Sequence, residues 1–442
     1  MSHNRRQFLR AATAFASVPL FNIQVRAQDS QKLWRTGNEV IDRARETALA
    51  LLQPTPAQLE HAWELHHGSL VLDSYAFAPR AAIDGEKFQA AVEAGASAAE
   101  LVDLREEMSM TRSATDPAER QEFMEAFRAA GVTCIFQNAG EEGSDPMRLI
   151  KRLARFTQKT DLMRPEVIKA VTANDVTNTR KANGICLLFT TNGVPLRGEW
   201  ESTRDELRLV RLFQQLGVRM MHVTYNRRNP LGDGAGEPND GGLSDFGHQA
   251  VAELNRAGVI VDVAHSGWKT SLDAAKASTK PMVASHTTCA SLYKHFRGKP
   301  DEVIRAICDT DGLVGICCIS RFLGGAGDIL AMMDHLDHLI EKFGPTHTAI
   351  GTDVGYLSRL DKAERLKIKR RADGSSPLSA PGSSWEHLWP KDDFQTTLQA
   401  EQSIAWTNWP LFTLGLVMRG HKDDDIRAVL GGNMLRVLRA QA

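Results

Sequence analysis

Two histidines, His265 and His286, each close a short apolar run, Val259–His265 and Pro281–His286. A neutral imidazole is the commonest metal ligand, and two at the ends of adjacent strands can share one ion. Asp353, in the run AIGTDVGY, ends another apolar stretch. A carboxylate there can ligate a metal or take the proton from an attacking water; otherwise it is a turn or helix-cap aspartate. Asp262 stands three residues before His265, too early in a regular strand to reach its mouth, and reads as a structural group behind it. A second cluster, Tyr225-Asn226-Arg227-Arg228-Asn229, sets two guanidiniums on one loop. That suits a carboxylate or phosphate group on a ligand, especially together with Arg297; the alternative is solvated loop charge paired with Asp233, Glu237 or Asp240.

The elements that would position these groups follow from periodicity. Ala250, Val251, Leu254 and Ala257 recur at helical spacing before the first histidine run, and Trp268–Lys276 separates it from the second. Strand, helix, strand of this length is a βαβ unit, which places its strands parallel. Candidate strands are Ser69–Ser74, Gly131–Gln137, Gly184–Thr190, Val218–Thr224, Val259–Ala264, Met282–Ser285, Leu313–Ile319 and Thr348–Thr352. Each is followed by a helical pattern. The expected fold class is α/β, a (β/α)8 TIM barrel, with an open doubly wound sheet as the alternative. Catalytic side chains of such a barrel converge where strands give way to their loops, and both histidines and Asp353 stand there.

The barrel is expected over 69–442, after a helical lead-in at 28–68 (Val40, Ile41, Ala44, Ala48 and Leu51 at helical spacing). Two stretches break the repeat: a charged helical insertion at 81–115 and a segment rich in Gly, Ser, Pro and charge at 358–391. The second follows the last strand, so it reads as a loop or lid over the active-site face, or as a disordered surface insertion. Two helices near Phe394–Leu416 and Asp423–Ala440 close the chain. Trp385, Trp389, Trp406 and Trp409 in this region read as packing residues or as the wall of an aromatic pocket.

With 442 residues, 42% hydrophobic and 24% charged, the composition is that of an ordinary globular protein. Residues 1–27 carry twin arginines, Arg5 and Arg6, an apolar run Ala11–Leu20, and Val25-Arg26-Ala27 as a cleavage pattern. This is the form of a twin-arginine export signal, an address leading to the periplasm or beyond. Its removal takes four arginines and no acid, moving the formal charge from −1 to −5. No basic excess points to nucleic acid, and no later run is long enough to span a membrane. The six cysteines lack metal-ligand spacing; Cys134, Cys186, Cys317 and Cys318 fall in candidate strands and read as inert core thiols, with a disulfide the alternative.

The order of these pieces resembles the membrane (renal) dipeptidase family, the M19 metallopeptidases. GLSDFGHQAVAELNRAGVIVDVAHSG, PMVASHTTCASLYKHFRGKPD, HTAIGTDVGY and the terminal GGNMLRVL carry the resemblance, over roughly Leu70 to Arg439. It implies that His265 and His286 are zinc ligands, that Asp353 is a ligand or acid/base, and that Arg297 grips a substrate carboxylate. It also implies a small dipeptide-like substrate and a homodimer. The chain departs from the pattern where the first metal should sit: Tyr75 and Phe77 replace the His and Asp of the first strand, and Thr191 or Asn192 the bridging Glu. Tyr225 replaces a substrate-contacting His. A bridging carboxylate holds two cations together against their repulsion, so its loss leaves at most one zinc, held by His265, His286 and Asp353, or none. Tyr75 and Tyr225 are then candidate proton donors, with Asp73 nearby. The expected function is an exported dipeptidase-like hydrolase of a small amide. The alternatives are a periplasmic accessory or binding protein, as in the maturation of secreted metabolites, and a metal-free lyase or isomerase.

Overall fold

The computed structural model describes residues 34–140, 145–371, 374–378 and 389–442. The export signal expected at 1–27, and Trp385 in the late insertion, lie outside the described residues. Nine strands form one parallel sheet: β1 (Leu72–Ala76), β2 (Cys134–Asn138), β3 (Val167–Lys169), β4 (Ile185–Thr191), β5 (Val218–His222), β6 (Ile260–Asp262), β7 (Val283–Thr287), β8 (Leu313–Ile316) and β9 (Thr348–Ile350). Their order is β1-β2-β4-β5-β6-β7-β8-β9, with β3 paired to β4 off this path. Beyond β9 the chain returns to β1: the Asp353 N–H donates to the Tyr75 carbonyl at 2.9 Å and the Phe77 N–H to that of Val354 at 3.3 Å. The sheet therefore closes into the expected (β/α)8 barrel, and the open sheet falls away. β3 was not expected from the sequence; three residues are too few to carry a periodic signal.

Residues of β1, β2, β4 and β7 are buried throughout, as parallel strands covered on both faces must be. Leu72, Phe136, Leu188, Met220, Ile260 and Leu313 pack together as one apolar cluster, so the barrel is a filled core. Burial of each such side chain stabilises by about 1.5–3 kcal/mol. The helix Asp245–Ala257 starts on its Ser244 cap, buries Ala250, Val251 and Leu254, and ends at Gly258 in the left-handed conformation. Upstream of the barrel, Glu39–Leu52 is capped by Asn38 and Pro56–Gly68 by a Thr55/Gln58 capping box. Segment 81–115 carries the helices Gly85–Glu93 and Ala98–Thr115. Trp406 and Trp409 are core residues, and all six cysteines are buried free thiols. No helix among the described residues is long and apolar enough to cross a membrane.

Two irregularities of register decide what reaches the barrel mouth. Between Asp73 and Ala76, β1 has one residue more than the facing β2. Between Ala284 and Thr287, β7 likewise has one more than β8. Such bulges re-aim side chains, and here they fall on Tyr75 and on His286. The second requires room: a Cβ at Gly315 would lie 2.1 Å from the Ser285 carbonyl oxygen, and one at Gly351 2.0 Å from it. Glycine at both positions lets the Ser285–His286 bulge exist.

Candidate functional site

His222, Asp262, His265 and His286 gather at the carboxyl ends of β5, β6 and β7. His222 and Asp262 are register partners across β5 and β6. The Nε2 atoms of His265 and His286 face one another at 2.8 Å. His265 Nδ1 stands 2.9 Å from Asn226 Oδ1 and 3.1 Å from an Arg297 guanidinium nitrogen. His286 Nδ1 meets Ser285 Oγ at 2.8 Å. Burial, reinforced by the Arg297 charge, holds both imidazoles well below their ordinary range. They are neutral at physiological pH, the form a metal ligand needs.

Asp262, read from sequence as a group behind the site, faces His222, with Oδ2 2.7 Å from Nε2. Its Oδ1 accepts the Ala264 N–H at 2.9 Å and the Ser285 N–H at 3.1 Å. Burial pushes its carboxyl up, but facing His222 and these hydrogen bonds outweigh it and hold the group below its ordinary value. His222 Nε2 and Asp262 Oδ2 meet only each other, and His222 Nδ1 has no hydrogen-bond partner among the described residues. A buried atom left so costs about 1–3 kcal/mol. The ligand atoms of His222, Asp262 and His286 lie within 4.8 Å of one another. Sequence reasoning missed His222. The available signal was a histidine among the apolar residues of a strand, VRMMH, where an imidazole needs a partner.

Asp353 follows β9 with φ +58°, in the left-handed region that aspartate tolerates better than most residues. Its Oδ2 lies 4.0 Å from His286 Nε2, and the side chain is 18% exposed, opening to the cavity at the barrel mouth. Burial pushes its carboxyl up to about 6, opposed by the Arg297 charge. That places a proton acceptor near neutral pH beside the histidines, as general-base chemistry requires.

The other expected residues divide. Tyr225 stacks on His265 with ring centroids 4.1 Å apart and lines the cavity. Tyr75 stacks on His286 at 3.8 Å, but its hydroxyl donates to Asn192 Oδ1 at 2.6 Å and accepts from Asn138 Nδ2 at 2.8 Å. Burial and the nearby Asp353 raise the phenol well above its ordinary value, and the two amides take up its hydroxyl. Arg297, expected to grip a substrate carboxylate, is 1% exposed and directed at His265, Asn226 and the His286 carbonyl. Arg228 is committed to Asp233, and Arg227 lies 3.8 Å from Glu237, the loop pairing weighed from sequence; both still border the cavity. Asp73 points away, held by Thr352, Tyr75 and Trp406.

Among the described residues, one group of side chains fits a metal ion. The first-strand ligand positions hold Tyr75 and Phe77, whose rings occupy space, and Asn192 is bound to the Tyr75 hydroxyl. His222, Asp262 and His286 offer the nitrogen and carboxylate donors that zinc accepts. The cavity above measures about 2190 Å³ and is bordered by Tyr75, Asn192, Tyr225, Arg227, His265 and Asp353 among others.

A closed parallel barrel with histidines and carboxylates gathered at its strand ends is the architecture of the metal-dependent hydrolases. This chain belongs to the membrane dipeptidase family, peptidase family M19, whose family model matches residues 66–363. Among curated proteins it is similar to the dipeptidase aclJ of Aspergillus oryzae, 27% identical over 236 residues, which are 52% of this chain and 47% of that protein. The match thus spans about half the length of that relative. Among solved structures it is similar to an amidohydrolase from Pseudomonas aeruginosa (TM-score 0.60, 23% identity, 86% of this chain and 98% of that one). A metallopeptidase from Rhodobacter sphaeroides, solved with a phosphinate mimic of the dipeptide L-Ala-D-Ala, is similar at TM-score 0.58 and 17% identity over 85% of this chain and all of its own.

Proposed function

We propose that this chain is an exported, single-metal hydrolase of a small dipeptide or amide, working in the periplasm after passage through the twin-arginine pathway. The observation that carries this reading is the placing of Asp353 Oδ2 4.0 Å from His286 Nε2 at the open end of the barrel. Zinc, when bound among these donors, supplies Lewis acidity toward a carbonyl and a water more acidic than in bulk. Asp353 takes the proton of the attacking water at Oδ2, its raised affinity for protons matching it to that task near neutral pH. Tyr225, on the cavity face of His265, is placed to return a proton to the departing amine. Tyr75, Asn138 and Asn192 form a locked wall that excludes solvent behind His286.

The test is hydrolysis of a panel of dipeptides and N-acyl amino acids by zinc-supplemented protein. Turnover that falls at least a hundredfold in Asp353→Asn supports the reading; no turnover of any member in the presence of zinc contradicts it. A second reading is a periplasmic binding or accessory protein that uses the same cavity as a pocket. Ligand binding without turnover, unchanged in Asp353→Asn, would select it.

A further inference from the structure

The His265–His286 contact is complete without any metal. An Arg297 N–H donates to His265 Nδ1 at 3.1 Å, His265 Nε2–H to His286 Nε2 at 2.8 Å, and His286 Nδ1–H to Ser285 Oγ at 2.8 Å. One assignment of protons satisfies these three contacts, leaving Asn226 Oδ1, 2.9 Å from the same Nδ1, without a proton from it. His222 and Asp262 admit no such solution. They are fully buried, and Nδ1 of the histidine has no hydrogen-bond partner among the described residues. Its Nε2 and the Asp262 Oδ2 meet only each other, 2.7 Å apart. With His286, these two groups bring one ligand atom each within 4.8 Å of one another, a spacing that one cation can bridge, and a cation would replace the proton between Nε2 and Oδ2.

Three neighbouring strands supply the donors. His222 pairs with Asp262 across β5 and β6, Asp262 pairs with Val283 of β7, and the β7 bulge re-aims His286 into the same group. Ala264 and Ser285 hold Asp262 Oδ1 from behind, the support that orients a ligating carboxylate, and leave Oδ2 facing inward.

We infer that the divalent cation of this barrel, whose presence rests on the function proposed above, is held by His222, Asp262 and His286, with Asp353 outside the ligand set. His286 Nε2 takes up the ion by giving up the hydrogen bond from His265. His265 then carries its proton on Nδ1, where Asn226 Oδ1 stands 2.9 Å away to accept it. Asn226 and Arg297, side by side on that nitrogen, let His265 hold either tautomer. Two imidazoles and a carboxylate suit zinc, with cobalt(II) as its spectroscopic substitute.

The experiment is cobalt(II) loading of the full chain, read by elemental analysis and by the visible spectrum. Wild type is compared with His222→Gln, Asp262→Asn and Asp353→Asn, each checked for folding by circular dichroism. Wild type takes up one equivalent with intense tetrahedral bands. His222→Gln and Asp262→Asn weaken cobalt binding by about tenfold or more, while Asp353→Asn leaves stoichiometry and spectrum unchanged. Cobalt retained in the first two variants, or lost in Asp353→Asn, overturns the ligand set and leaves a single-metal hydrolase standing. Wild type that binds no cobalt or zinc overturns both. Should the first two variants fail to fold, wild type against Asp353→Asn decides: a spectrum that changes between them contradicts the assignment.

Discussion

The ring of Tyr75 lies on that of His286, centroids 3.8 Å apart and planes 19° from parallel. In the dipeptidases this chain resembles, the first strand brings metal ligands to this place. Here it brings an aromatic plate whose hydroxyl is tied to Asn138 and Asn192. Tyr75 is therefore expected to shape the site and not to exchange protons with substrate. Tyr75→Phe should lower stability by about 1–3 kcal/mol, because two buried amides lose their shared partner. Its kcat should stay within about threefold of wild type, a range too small for loss of a general acid. Steady-state kinetics beside a denaturant melt would check this; a hundredfold fall in kcat would return Tyr75 to the proton-donor role.

Arg297 is expected to act through His265. With the guanidinium buried against Nδ1, Arg297→Lys should lower kcat by about tenfold or more while KM changes little, since a misplaced group costs turnover more than ground-state binding. A large rise in KM at constant kcat would mean that the arginine grips substrate after all.

Much of the barrel was legible in the chain. Eight apolar runs spaced by helical patterns yield the strands, and the placing of His265, His286 and Asp353 at their ends follows from the βαβ rule. What the chain did not disclose is which way side chains turn. His222 sits inside VRMMH, where a period of two says only that it shares a face with Met220. That this face meets Asp262 depends on the β5–β6 register. The direction of Arg297 is hidden for the same reason: it leaves a loop whose path tertiary packing decides. A bulge is equally silent in sequence, since one extra residue in β7 looks like any other.

That bulge is testable through the glycine facing it. Gly351→Ala would place a Cβ 2.0 Å from the Ser285 carbonyl oxygen and 2.6 Å from Ser74 Oγ. Backbone must shift, at a cost of about 1–3 kcal/mol, and His286 must move with it. The expected outcome is a lower melting temperature together with weakened metal binding. A variant equal to wild type in both would show that the bulge is not rigid.

Lys159, which borders the cavity at the barrel mouth, offers a pH signature of its own. It is fully buried, with its ammonium 4.1 Å from the centre of the Phe123 ring, and burial pushes it down to about 7. Between about pH 7 and 10.4 the unfolded chain therefore holds the proton more tightly, and stability from this group rises with pH. Below about 7 both states are charged and the slope vanishes, leaving a buried charge that costs on the order of a few kcal/mol. Lys159→Met should raise stability at pH 7 and flatten the climb toward pH 10 in urea melts. A variant less stable than wild type at pH 7, with the slope intact, would contradict this.

Metal content decides the account as a whole. On the proposed reading, Tyr75 and Phe77 at the first strand, and Asn192 in place of a bridging carboxylate, leave donors for one cation. Elemental analysis of the purified full chain, dialysed against trace zinc, should return about one equivalent per chain. Two equivalents would mean that the barrel holds the paired centre these residues are argued to exclude.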